Sequence, residues 1–187
     1  MIIVEGGDNT GKSTLVRTLI ERDPSLRLLK RDKFHPGRGE TIGTSYLDML
    51  KPANGDFMQH LNSVADRCLA SECIYGSLYR GGCRMTDAEH LQVQAMLHRF
   101  QALVIFCDPP DEAITADWAA RPQLYDRNPL EIANAYRSQI GHIFEGLPIV
   151  RYDWTKDDGK AADWILEEHK RLLQDVLQYV SHPEATS

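Results

Sequence analysis

The chain opens with a short apolar run, Met1-Ile2-Ile3-Val4-Glu5, that passes directly into Gly6-Gly7-Asp8-Asn9-Thr10-Gly11-Lys12-Ser13-Thr14. Leu15 and Leu19 then recur at helical spacing through Glu21, before Asp23-Pro24 ends the pattern. A run of this kind makes a buried parallel strand, so the order is strand, glycine loop, helix. Gly6-x-x-x-x-Gly11-Lys12-Ser13 fits the P-loop pattern, and both flanks are those the pattern requires. The glycines adopt backbone conformations closed to other residues, so successive amides turn inward on a polyphosphate. Gly7, Asn9, Thr10, Gly11, Lys12, Ser13 and Thr14 are therefore the expected phosphate-binding residues. Lys12 is placed to reach the β- and γ-phosphates, Ser13 to ligate Mg²⁺, and the helix N-terminus to add its partial positive charge.

The remaining elements follow the same alternation. Ser25–Leu29 reads as a second strand, Thr41–Leu50 as a helix and Ser63–Ala65 as a short strand, while Lys51–Asp56 has loop composition. Thr86-x-x-Glu89 is a capping box that opens a helix to about Phe100. Ala102–Cys107 is a continuous apolar strand stopped by Pro109-Pro110, and Glu112–Ala120 is helical. Asn128-Pro129 reads as an N-cap followed by proline at the first helical position. Ile132, Tyr136, Ile140, Ile143, Phe144 and Leu147 then form one apolar stripe expected to face the core. Ile149–Tyr152 is the last predicted strand, followed by an amphipathic helix from about Trp164, with the tail 182–187 fraying. Strands separated by helices imply an α/β fold of three layers, a parallel sheet of about five strands with helices on both faces. One domain spanning residues 1–187 is expected, since a chain of this length buries roughly 70% of its unfolded surface.

Composition narrows the setting. No apolar run approaches the roughly 18 residues of a membrane span, and the N-terminus lacks a signal-peptide pattern, so a cytoplasmic protein without membrane partners is expected. Cys68, Cys73, Cys83 and Cys107 form no CxxC pair and no zinc-ligand spacing, and read as reduced structural thiols. The net charge of −6 is uneven: residues 1–100 hold 13 Lys and Arg against 12 Asp and Glu, whereas residues 101–187 hold 8 against 15. Such acidity opposes nonspecific DNA coating, which draws on many phosphate-neutralising cations. It leaves room for a local basic groove, and Arg27, Lys30, Arg31, Lys33 and Arg38 crowd one segment suited to an anion.

P-loops serve switches, motors and small kinases. No Asn-Lys-x-Asp base-reading motif is present, and motor ATPases need more polypeptide, which leaves a compact kinase. Such an enzyme needs a lid that excludes water and brings positive charge to the transferring group. Arg121 and Arg127, bounding an aperiodic stretch at about 121–128, are the expected catalytic lid cations.

Two segments carry a family resemblance. Val4–Thr14 resembles the P-loop of thymidylate kinases, with an acidic residue at Asp8. Asp66-Arg67-Cys68-Leu69-Ala70-Ser71-Glu72-Cys73-Ile74-Tyr75 is similar to that family's Asp-Arg-Tyr-x-x-Ser-x-x-Ala-Tyr motif. Ser71-Glu72-x-x-Tyr75-Gly76-x-x-Tyr79-Arg80-Gly81, with Phe34-His35-Pro36-Gly37 and Cys107-Asp108-Pro109-Pro110, looks most like bacteriophage-encoded relatives. The resemblance implies a P-loop kinase fold, ATP as phosphoryl donor, Mg²⁺ held by Ser13 and Asp66, and catalysis by Lys12, Asp66 and the lid arginines. It places Asp8, His35, Arg67, Ser71, Tyr75 and Arg80 around the acceptor, with Arg67 on its phosphate. It also implies host-cell cytoplasm if the protein is phage-encoded, and leaves a homodimer open.

The sequence departs from the family on the acceptor side. Cys68 replaces the motif's aromatic residue, and Asn9 stands where some thymidylate kinases carry a catalytic arginine. Leu50–Ala65 offers Phe57 as its one aromatic side chain and Lys51 as its one Lys or Arg. Two acceptors fit: a thymidine-like deoxynucleoside monophosphate such as dTMP, or the 5-hydroxymethyl group of hydroxymethyluracil in phage DNA. A nucleotide-gated binding switch and a small-metabolite kinase are the competing classes, separable by whether any acceptor turns over.

Overall fold

The computed structural model describes residues 1–30, 41–51, 60–120 and 128–181. His35, the expected lid with Arg121 and Arg127, most of the basic segment and the tail from His182 lie outside the described residues. Strands β1 (Ile2–Glu5), β2 (Arg27–Leu29), β3 (Ser63–Asp66), β4 (Leu103–Cys107) and β5 (Ile149–Tyr152) form one sheet in the order β2-β3-β1-β4-β5. Every pairing is parallel. β2 is shorter than the predicted strand, because Asp23 accepts hydrogen bonds from the Ser25 amide and hydroxyl and turns the chain before Arg27.

Side chains of a strand alternate between faces, and here both faces are dry. Met1, Ile3, Ala65, Val104 and Phe106 pack in one core with α2 (Ile42–Leu50), α3 (Leu69–Tyr79), α4 (Asp87–Arg99) and α6 (Pro129–Ile143). Ile2, Val4, Val64, Leu103 and Ile105 pack on the other side with α1 (Lys12–Arg22) and α7 (Ala161–Ser181). α5 (Asp111–Ala120) follows β4, and a single 3-10 turn, Trp154–Lys156, follows β5. Ile2, Ile3 and Val4 are fully buried between the two cores.

Local signals fixed several helix starts as expected. Thr86 accepts from the Glu89 amide while the Glu89 carboxylate accepts from Thr86, closing the capping box of α4. Asn128 caps α6 through the Leu130 amide, with Pro129 at the first helical position. Leu147, assigned to the α6 stripe, falls past the helix end but still packs on that core.

Helix α3 has no counterpart in the sequence reading. Its N-cap residue, Cys68, supplies no side-chain cap, and seven of its eleven residues are buried, so it carries no amphipathic stripe. The Cys68 amide instead donates to the Glu5 carboxylate at 2.7 Å, from a strand 63 residues away.

Candidate active site

The glycine loop closes on itself. Gly6 has φ +145, and a Cβ there would lie 2.5 Å from the Cys107 carbonyl oxygen, so only glycine fits between β1 and β4. Gly11 has φ +87, and a Cβ there would lie 2.9 Å from Trp154 of the 3-10 turn. Asn9 takes the left-handed conformation at φ 59, which asparagine tolerates better than most residues. Thr10 donates to the Gly7 carbonyl at 3.0 Å, and the Lys12 ammonium also donates to Gly7. The result is a cavity of about 340 Å³ lined by Asp8–Thr14 together with Asp66, Arg67 and Asp117. The Asn9 amide nitrogen is buried with no partner among the described residues, a donor left for a ligand.

Lys12 is only 5% exposed. Burial above all, helped by the nearby Arg67 charge, pulls its pKa down to about 7 against the opposing charges of Asp8 and Asp66. A polyphosphate in this cavity would reverse that balance, because it brings the missing negative charge.

β3 delivers the second half of the site. Val4 lies opposite Asp66 in register, and the Arg67 amide donates to the Val4 carbonyl at 2.9 Å, so the Asp66-Arg67 pair stands beside the root of the loop. The Ser13 hydroxyl donates to Asp66 Oδ2 at 2.7 Å. A hydroxyl and a carboxylate are the hard oxygen donors that Mg²⁺ takes, usually with several waters and substrate phosphates. No group of three His, Cys, Asp or Glu side chains gathers as a metal site among the described residues. Ser13 and Asp66 thus suit Mg²⁺ carried in with a nucleotide.

Arg67 is the centre of a buried polar cluster. It has φ 74, a strained conformation for arginine worth about 1–3 kcal/mol. Its guanidinium donates to the Gly6 carbonyl and to Ser71 Oγ, both at 3.1 Å, and pairs with Asp8. It also sits 5.4 Å over the Tyr75 ring centre. Burial alone would lower the pKa of Arg67, but Tyr136, Tyr75, Asp8 and Glu5 outweigh it and hold the cation charged. Ser71 and Tyr136 both place hydroxyls on Glu5 Oε2, at 2.9 and 3.3 Å. Burial, reinforced by the Glu5 charge, raises the Tyr136 phenol well above its ordinary value, so it stays protonated as a donor.

Asp8, Ser13, Asp66 and Arg67 also line a second, larger cavity of about 800 Å³. Ser71, Tyr75 and Arg80, which the resemblance assigns to the acceptor, line it together with Tyr46, Glu72 and Arg84. Glu72, 4% exposed, is held by Arg84 Nε at 2.9 Å and by Arg80 at 2.9 Å. A carboxylate this buried is tolerated because cations hold both its oxygens.

Sequence reasoning missed Glu5, Glu72, Arg84, Tyr46 and Trp154. Glu5 had a signal, a carboxylate ending an otherwise apolar strand. Tyr136 was assigned to the core, and its ring is there, but its hydroxyl belongs to the polar cluster. Glu72 and Arg84 carry no local signal, since their partnership spans the turn after α3.

The parallel sheet and its helices form an α/β fold that is similar to the fold of P-loop kinases of known structure. The YorR protein from Bacillus subtilis, solved in complex with phosphorylated GDP, aligns over 97% of both chains with TM-score 0.67 and 17% identity. Deoxyadenosine kinase from M. mycoides with bound dCTP aligns over 91% of this chain and 100% of its own, with TM-score 0.55 and 14% identity. The same kinase with bound dATP gives TM-score 0.52 at 13% identity. No protein-family model matches the chain, and no curated protein matches it significantly.

Proposed function

We propose that this protein is an ATP- and Mg²⁺-dependent kinase that transfers the γ-phosphoryl group to a thymidine-like deoxynucleotide, dTMP or a related deoxynucleoside monophosphate. One observation carries this reading: the phosphate cradle and the 800 Å³ cavity meet across Asp8, Ser13, Asp66 and Arg67. A phosphate held in the first therefore faces an acceptor held in the second, and proximity of this kind removes much of the barrier. The deoxyadenosine kinase fold supports the reading.

Lys12 and the loop amides hold the donor phosphates, and the Asn9 amide adds a donor at the same wall. Ser13 and Asp66 would hold Mg²⁺, which would supply charge neutralisation at the phosphates. Arg67, fixed by Gly6, Ser71 and Asp8, orients the acceptor at the boundary. Arg121 or Arg127, from the sequence stretch read as a lid, is the cation proposed for the transferring group. Trp154, 39% exposed over Gly11, offers an aromatic surface at the edge of the cradle.

A second acceptor reading is the 5-hydroxymethyl group of hydroxymethyluracil in DNA. It is favoured by the size of the cavity and by Arg17, Lys30, Arg80 and Arg84 in its walls, which suit a polyanion. Incubation with labelled ATP and a panel of deoxynucleotides, nucleosides and hydroxymethyluracil-containing DNA tests both. Label on a monophosphate supports the first, label on the modified base supports the second, and no label on any acceptor overturns the kinase reading.

A further inference from the structure

Helix α3 and the loop that follows it bring two thiols together beside the acceptor cavity. Cys73 Sγ lies 3.7 Å from Cys83 Sγ and 3.8 Å from His90 Nδ1 on α4. All four cysteines are free thiols: Cys68 and Cys107 are buried, Cys73 is half-buried and Cys83 is exposed. The loop is seated on the helix at Gly76, whose carbonyl accepts from the Gly82 amide at 3.0 Å. A Cβ at Gly76 would lie 2.9 Å from Cys83 Cα, so the glycine is what lets the loop approach. Gly81 and Gly82 have positive φ and no neighbour within 4 Å of a Cβ position, which leaves the loop room to close the remaining gap to a bond of about 2.05 Å.

We propose that Cys73 and Cys83 are an oxidisable dithiol, whose disulfide fastens the loop after α3 to the helix beside the acceptor cavity. The oxidant is hydrogen peroxide. The exposed Cys83 sulfur attacks the peroxide oxygen as the O–O bond breaks, giving a sulfenic acid and one water. Cys73 then passes its proton to His90 Nδ1, and its sulfur attacks the Cys83 sulfur. The S–O bond breaks, and the departing hydroxide takes the proton from His90 as a second water. Two thiols and one hydrogen peroxide thus give one disulfide and two waters, the two electrons lost by sulfur reducing the peroxide. Cys83 is exposed and Cys73 half-buried, so the peroxide reaches Cys83 first and Cys73 is the resolving partner, its thiol pKa raised by burial.

The bond would act on the acceptor side. Glu72 precedes Cys73 and Arg84 follows Cys83, and these two form the 2.9 Å ion pair in the cavity wall. Drawing the sulfurs together shifts that pair, while the glycine loop of the cradle lies on other elements. This consequence rests on the kinase reading, whereas the bond itself does not.

The test treats the reduced, full-length protein with hydrogen peroxide, alkylates remaining thiols after unfolding, and maps peptides by mass spectrometry. The expected result is a Cys73–Cys83 cross-link with Cys68 and Cys107 alkylated. C73S should stop at a Cys83 sulfenic acid trapped by dimedone, and C83S should leave Cys73 alkylatable. H90Q should slow cross-linking without slowing the sulfenic step. Wild-type protein that accumulates oxidised Cys83 with Cys73 still alkylatable, or that cross-links only between molecules, overturns the proposal. Oxidation should also change KM for dTMP several-fold with KM for ATP retained, reversibly with dithiothreitol. Equal changes in both, or none despite the cross-link, overturn the effect on the cavity. Absence of transfer to dTMP by the reduced protein counts against that acceptor alone, and the peptide map still decides the thiol pair.

Discussion

The phosphate cradle and the acceptor cavity share four residues yet are built in opposite ways. The cradle takes seven of its ten lining residues, Asp8–Thr14, from one continuous stretch whose loop is closed by hydrogen bonds onto the Gly7 carbonyl. The acceptor cavity is made of side chains drawn from α1, β2, α2, β3, α3 and the loop after it. A backbone surface survives most side-chain changes, so one cradle can serve many kinases. A side-chain surface is altered by single substitutions, so acceptor choice is where such chains diverge. The likeness of fold to structures at 14–17% identity is compatible with this division.

The comparison breaks first at Lys12. Lys12→Ala should lower kcat by about 10³-fold or more with the fold retained, because the ammonium acts on charge developing at the phosphates. Steady-state rates at saturating ATP check this, and an unchanged kcat would sink the kinase reading. Arg121→Ala and Arg127→Ala come next: replacing the catalytic one should cost about 10³-fold in kcat with a smaller change in ATP affinity. Neither mattering would remove the lid from those positions.

The boundary residues sharpen the comparison by acceptor. A monophosphate attacks with an oxygen already ionised at neutral pH, whereas a hydroxymethyl group benefits from a carboxylate that takes its proton. Asp66→Asn should therefore reduce transfer severely on hydroxymethyluracil DNA and moderately on dTMP, where it disturbs Mg²⁺. Arg67→Ala should show the opposite bias, since DNA retains other phosphate contacts. The ratio of kcat/KM on the two acceptors is the readout, and equal losses on both would refute these roles. A salt titration adds to it, because DNA phosphorylation should weaken steeply with salt and dTMP phosphorylation far less.

Glu5 tests whether the two halves are held by one buried group. Its carboxylate accepts from Cys68, Ser71 and Tyr136, and Glu5→Gln would place a donor among these donors. A loss of about 1–3 kcal/mol is expected by chemical denaturation, with acceptor KM rising more than ATP KM. The smallest expected effect is protonic. Lys12 in the free enzyme has its pKa lowered to about 7, and bound polyphosphate raises it. ATP binding above pH 7 should therefore take up a fraction of a proton, and affinity should weaken as pH rises through that range. Calorimetry in buffers of different ionisation enthalpy measures the uptake, and K12A should abolish it. In the unliganded protein the sign is reversed for folding: a lowered lysine pKa penalises the native state below pH 7, and stability recovers as pH rises toward the unfolded value of 10.5.

What the sequence determined by itself was whatever depends on neighbours a few residues apart. The loop and helix of residues 6–22, the Thr86–Glu89 box and the Asn128-Pro129 start draw hydrogen bonds from residues a few positions away, so residue order specifies them, and the apolar run marks β1 although its ladder partners are β3 and β4. The Asp66–Tyr75 motif also grouped Arg67, Ser71 and Tyr75, and these three line one cavity. Tertiary structure decided the rest. α3 starts where Glu5 reaches it from β1, and the shape of the acceptor wall depends on Glu72 gathering Arg80 and Arg84. The pairing of Cys73 with Cys83 was likewise hidden, since it required the loop to fold back onto Gly76. In each case the energy comes from satisfying a buried polar group or filling a gap between distant segments. No local pattern encodes that, because the cost of leaving such a group unpaired exists only once the chain has closed around it.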